Sequence, residues 1–155
     1  MSPLYVGLLA WSELVANSSR WLEATVEKSP ALPNSFAHAT LQPDGSGQCK
    51  VLRVVVVAKD EGGPGTPLAV RVDLDSVPAL RPEPEAQLLR LTGSLASTTG
   101  VDWAGHSFDD SKDGLPSGAR KAEVVRAEPG SEVFAFEVPQ LSAAMLVVRD
   151  CSSHP

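Results

Sequence analysis

Val51-Leu52-Arg53-Val54-Val55-Val56-Val57-Ala58 is the stretch that decides the fold. Branched side chains are stiff at χ1 and sit better on a pleated sheet than on a helix. A run that is apolar at nearly every position, not at every second one, predicts a central strand covered on both faces. The flanks agree. Pro43-Asp44-Gly45 supplies a turn before it, and the glycine- and proline-rich segment from Asp60 to Pro67 reads as a loop after it. Beyond that loop, Leu68, Val70, Val72 and Leu74 alternate with Ala69, Arg71 and Asp73, the pattern of a strand with one buried and one wet face.

Outward from there, the same signals predict strands at Trp21 to Glu27, Ser35 to Leu41, Gln87 to Thr92, Ala122 to Arg126, Glu132 to Val138 and Ser142 to Val148. Val101 to Phe108 reads as a short, irregular one. Val77 to Pro84 holds three prolines and is a connection, Asp109 to Gly118 is a polar run of turn residues, and Glu128-Pro129-Gly130 and Pro139 separate the last three strands. Eight or nine short strands between turns predict an antiparallel β-sandwich of about eight strands over 20–150, followed by a tail at 151–155.

The N-terminal segment 3–17 differs. Ser2-Pro3 reads as an N-cap with proline in the first helical turn, and Leu4 to Ala16 predicts one helix of three to four turns. Leu4, Leu8, Trp11 and Val15 share one face at helical spacing, while Tyr5, Val6 and Leu9 make the other side apolar as well. A helix apolar nearly all round is buried on more than one side. A small sandwich covers one face, so the second face calls for a partner.

Length and composition set the limits. One domain with a real core fits in 155 residues, and a sandwich plus a (β/α)₈ barrel does not. Apolar residues at 43% and charged residues at 21% are ordinary globular usage, which argues against wholesale disorder. A formal net charge of −6, with no basic stripe, argues against nucleic acid as a partner. No apolar run approaches the roughly 20 residues of a membrane-spanning helix. Met1 to Trp11 lacks the cationic start and the cleavage site of a secretory signal.

Candidate chemistry is thin. His38, His106 and His154 lie far apart, without HxH or HExxH spacing for a metal. Asp109, Asp110 and Asp113 cluster oxygen ligands but lack the order of a calcium loop, and read as an acidic turn. Glu83 and Glu85 flank Pro84 as solvated carboxylates, no GxSxG elbow is present, and Glu61 to Gly65 matches no phosphate loop. No catalytic residue, cofactor site or metal site is assigned. Among Trp11, Trp21 and Trp103, the first reads as core and Trp103, with His106 nearby, is the candidate ligand contact. Asn17-Ser18-Ser19 is a glycosylation sequon. Cys49 and Cys151 are either two separate thiols or one bond.

Five segments in order carry a resemblance to a known family. Pro3 to Ala10 (PLYVGLLA) is similar to a PLYYGLL segment; Ser35 to Ala39 (SFAHA) resembles the strand that follows it; Val54 to Asp60 (VVVVAKD) is similar to VVVVNKD. Leu91-Thr92-Gly93 with Val101 to Asp109 (VDWAGHSFD) and Val138 to Leu146 (VPQLSAAML) resemble the later strands. Together, from Pro3 to about Val148, they resemble the C-terminal domain of family 79 glycoside hydrolases, the β-glucuronidases and heparanases. Val6 and Ala58 depart from the tyrosine and asparagine of the family pattern.

The resemblance implies a sandwich packed against a catalytic (β/α)₈ barrel, with the helix at 3–17 as the last helix of that barrel and Leu4, Leu8, Trp11 and Val15 facing it. It implies retaining hydrolysis by two barrel carboxylates, neither of which has a counterpart in this chain. It also favours a Cys49–Cys151 bond between neighbouring strand ends, and with it a secreted or lumenal compartment. The expectation is therefore a non-catalytic accessory domain whose partner is a barrel in the same or a longer chain. The alternatives are a stand-alone module that binds glycans or a protein, and a fragment of an active glucuronidase.

Overall fold

The computed structural model describes residues 3–15, 19–24, 34–43, 48–59, 67–75, 77, 80–93 and 99–151. Asn17, His154, the Glu61 to Gly65 segment and the expected turn at Asp44-Gly45 lie outside the described residues, as does the end of the expected first strand. Among the described residues the chain runs as α1 (Pro3–Leu14), β1 (Arg20–Leu22), β2 (Phe36–Pro43), β3 (Lys50–Ala58), β4 (Leu68–Asp73), β5 (Glu85–Thr92), β6 (Asp102–Trp103), β7 (His106–Ser107), β8 (Glu123–Arg126), β9 (Val133–Val138) and β10 (Ser142–Asp150).

β3 pairs antiparallel with β10 along its whole length, from Ser142 opposite Ala58 to Asp150 opposite Lys50. β2 adds to the free edge of β3 and β5 to the free edge of β10. The large sheet is ordered β1-β2-β3-β10-β5-β6-β7, with β8 also on β5, and β4 and β9 form a separate two-stranded sheet. Leu68 to Asp73 alternates between half-buried and exposed, as its sequence pattern requires.

The period of two splits the large sheet between two cores. Leu52, Val54, Val56, Ala58, Ala144, Leu146, Val148, Ala86 and Leu88 face the small sheet, meeting Phe134, Phe136 and Val138. The intervening Val51, Val55, Met145, Val147 and Leu89 face the other way, onto Val6 and Leu14 of α1 and onto Trp103 and Phe108. Each fully buried Val, Leu or Met side chain contributes about 1.5–3 kcal/mol by leaving water. A strand that buries both faces collects this at almost every residue, which is why the valine run lies at the centre.

The segment read as an irregular strand is a hairpin. Ala104 and Gly105 form the two-residue turn between β6 and β7, both with positive φ (50° and 83°), the conformation of a type I′ turn. That turn packs on the next loop. Lys121 N–H donates to the Ala104 carbonyl at 2.7 Å, and a Cβ at Gly118 would strike the Gly105 carbonyl oxygen. Only glycine permits this approach, since Gly118 also holds φ at 108°.

One residue beyond the last β3–β10 pair, Cys49 and Cys151 form a disulfide, with their Cα atoms 4.3 Å apart and a sequence separation of 102. Closing so long a loop restricts mainly the unfolded chain. Replacing both cysteines by serine should lower the unfolding free energy by about 2–5 kcal/mol, read as a lower urea midpoint at unchanged slope. An unchanged midpoint would show that the bond adds nothing to the register.

Candidate functional site

α1 lies across one face of the large sheet, and three devices hold its C-terminal end. Thr40, fully buried on β2, donates its hydroxyl to the Leu14 carbonyl at 2.8 Å, taking one of the acceptors that a helix end leaves open. Ser19 donates to Gln42 Oε1 at 2.7 Å beside it. Glu13 grips Arg120 with both oxygens (3.1 and 2.9 Å) and accepts the Trp103 indole N–H at 3.2 Å. Arg53 stands on the same face, and its guanidinium is pushed below the ordinary arginine value by burial. Glu13 opposes that shift, while Arg120 and Arg149 add to it.

The other side of α1 is open. Leu8 is 53% exposed and Trp11 48%. Val15, expected on the same outward face, instead packs half-buried on the sheet-side core, as do Leu9 and Ala10. The helix ends at Leu14, so Val15 lies in the turn that follows and its side chain no longer keeps helical phase. Leu4 lies within α1.

Beside α1 the face of the sheet is incompletely covered. A cavity of about 200 Å³ opens there between Gly7, Ala10, Trp11 and Leu14 of the helix and Phe36, His38, Val57 and Trp103 of the sheet. Its lining is apolar apart from His38. A chain of rings continues from it across the surface. Trp11 and Trp21 lie 5.6 Å apart, Trp21 meets His38 edge-on at 5.9 Å, His38 meets Phe36 at 5.6 Å, and Lys59 Nζ caps Phe36 at 5.0 Å. Trp21, like Trp11, is about half exposed at 49%.

The structure corrects two sequence expectations. Trp103, taken as the ligand contact, is fully buried under α1 with its N–H committed to Glu13. The type I′ hairpin turns its ring inward against the sheet, where it lines the cavity beside α1 and does not meet solvent. Trp11, read as core from the residues and as barrel-facing from the resemblance, is half exposed together with Trp21. His106 sits half-buried on β7, opposite Trp103 in the hairpin ladder.

Three of the remaining carboxylates, Asp109, Asp113 and Glu85, are occupied structurally. Asp109 accepts the Gly100 N–H at 2.6 Å, and Asp113 accepts the Leu115 N–H and the Ser111 hydroxyl. The Leu115 bond leads in holding the Asp113 carboxyl below its usual range. Glu85 pairs with Arg126 across β5 and β8. Among the described residues no group of three or more His, Cys, Asp or Glu is arranged to hold a metal ion, and no helix is long and apolar enough to cross a membrane.

A β domain of two stacked sheets, with a helix laid on the outer face of the larger one, is thus the class that the fold defines. Residues 46–145 match the family described as the glycosyl hydrolase family 79 C-terminal beta domain, and the chain belongs to that family. It is a glycosidase-associated β domain.

No curated protein sequence matches the chain. Among solved structures it is similar to CelM2, a bifunctional glucanase-xylanase protein from a metagenome library, at 17% identity and a TM-score of 0.44, covering 76% of this chain and 16% of that one. It is similar to an arabinofuranosidase at 18% identity and a TM-score of 0.40, covering 79% and 20%. A GH51 arabinofuranosidase from Xanthomonas axonopodis pv. citri is similar at 14% identity and a TM-score of 0.40, covering 83% and 21%. The chain therefore spans about a fifth or less of the length of these proteins.

Glu13 is the testable joint between helix and sheet. Glu13→Ala leaves the buried Trp103 N–H without its acceptor and should cost about 1–3 kcal/mol in urea unfolding, whereas Glu13→Gln, which keeps an oxygen there, should cost less. Equal effects of the two variants would remove the indole bond from the account.

Proposed function

We propose that the chain is the non-catalytic accessory β domain of a family 79-type glycoside hydrolase. Hydrolysis then belongs to a (β/α)₈ barrel carried in the same or a longer chain, and segment 3–17 is the connection to it. The family match over 46–145 carries this reading, since that family is defined as a C-terminal β domain. The chemistry of the cavity supports it. Retaining glycosidases need two carboxyl groups about 5–5.5 Å apart across the scissile bond, and among the described residues that line the cavity beside α1 the one titratable side chain is His38.

Glu13 and Glu85 act as structural links in ion pairs with arginine, and Asp109 and Asp113 as acceptors for backbone N–H groups. A fold hosts many functions, so the reading rests on the family and on the site, not on the sandwich architecture. The purified chain should release no aryl aglycone from an aryl glucuronide above the buffer rate. Turnover that co-purifies with the chain, and that a single carboxylate substitution abolishes, would overturn the proposal.

A further inference from the structure

On the α1-bearing face of the large sheet, two arginines interrupt the apolar rows. Arg53 stands between Val51 and Val55 on β3, and Arg149 follows Met145 and Val147 on β10. The register sets their relation. Arg53 is the direct partner of Val147, and Arg149 lies two residues further along β10, so the two are diagonal neighbours on one face. Such neighbours are about 7–8 Å apart, within reach of long side chains. Val147 is also the partner of Gln87 on β5, which places an exposed amide on the other flank of the same row.

A third arginine enters from the side. Arg120, on the chain that leads into β8, is held by both oxygens of Glu13 over this face. Glu13, Arg120 and Arg149 all act on the Arg53 guanidinium. The neighbourhood thus holds three guanidinium groups and one carboxylate, a surplus of two positive charges on a chain whose formal net charge is −6. The next carboxylate along this face, Glu85, is engaged by Arg126.

Like charges set side by side on one sheet face destabilise it, and a guanidinium half withdrawn from water calls for negative charge nearby. Glu13 supplies one such charge, with both oxygens already bonded to Arg120. Arg149 is exposed and makes no ion pair among the described residues. Guanidinium groups bind oxoanions through paired N–H donors. Donors that arrive from two strands and a loop do not share a plane, so they suit a tetrahedral anion better than a planar carboxylate.

We infer that Arg53, Arg149, Arg120 and Gln87 form a binding site for a doubly charged tetrahedral oxoanion, a phosphate or sulfate group. Arg53 and Arg149 supply the charge, Gln87 Nε2 a neutral donor, and Arg120 the N–H groups that Glu13 leaves over. The site stands independently of where hydrolysis takes place. A bound anion also relieves the repulsion between the arginines, so binding and stability are linked.

Titration of the full chain with sodium sulfate, inorganic phosphate and phenyl phosphate at fixed ionic strength tests this, read by calorimetry and by the urea midpoint. Sulfate or phosphate should saturate a single site and raise the midpoint. Arg149→Ala, at an exposed position, should weaken binding at least about tenfold, and Arg53→Gln should do the same. Lys112→Ala, exposed in the 109–118 turn, should leave binding unchanged. The urea midpoint of each variant without anion separates a lost site from a lost fold.

Equal binding of inorganic phosphate and phenyl phosphate would assign the site to the free group, and binding of the ester alone would assign it to an esterified ligand; either supports the site. No saturation by any of the three would overturn it. So would an equal loss in Lys112→Ala, or equally tight binding of chloride.

Discussion

The pairing of β3 with β10 is the constraint on which the rest of the molecule depends. Nine residues of each strand face one another without a bulge, and every other strand of the large sheet is reached through their outer edges. Because side chains alternate, this register also sorts residues between the two cores. Val54 and Leu146 go to the small sheet, Val55 and Met145 to the helix. A slip of one residue would exchange the two sets. It would bring Arg53 or Arg149, according to which strand slipped, toward the apolar core formed with β4 and β9. The disulfide one step beyond the last pair fixes the same register covalently.

The two faces of that sheet are finished to different degrees. Toward β4 and β9, Phe134 and Val138 are fully buried and the layer is closed by the strand pair itself. On the other face, among the described residues, a helix of 12 residues and a short hairpin share the cover. They close over Val51, Met145 and Leu89, but leave Phe36, His38 and Trp21 beside the helix with an open socket between. The bonds of Glu13 and Thr40 secure the helix end nearest the sheet, so the open side does not come from a loosely placed helix. The domain thus presents one closed face and one partly open one among the described residues.

Much of this was legible in the residues. The valine run and the Leu68 to Leu74 alternation specify a two-faced and a one-faced strand by period alone, and the structure has both. An all-round apolar helix announces two environments, and α1 has a buried side at Val6 and Leu14 and an exposed side at Leu8 and Trp11. The hairpin at Trp103 was hidden because its turn uses Ala104 at positive φ, where asparagine or glycine is the usual signal. That single turn buries Trp103, and so reverses which tryptophan meets solvent. Trp21 was legible as the start of a strand but not as part of a ring stripe. Its place in the stripe depends on β1 pairing with β2, a contact between residues 20 and 41 that no short window contains.

Native-state hydrogen exchange on the isolated chain tests the central claim most directly, because it reports each layer separately. If β3 and β10 hold the molecule together while α1 covers a face left incomplete, amides of 51–58 and 143–149 exchange only through global unfolding. Those of α1 then exchange by a cheaper, local opening. Protection of α1 equal to that of β3 would contradict the account, since it would show the helix face to be as complete on its own as the core behind it.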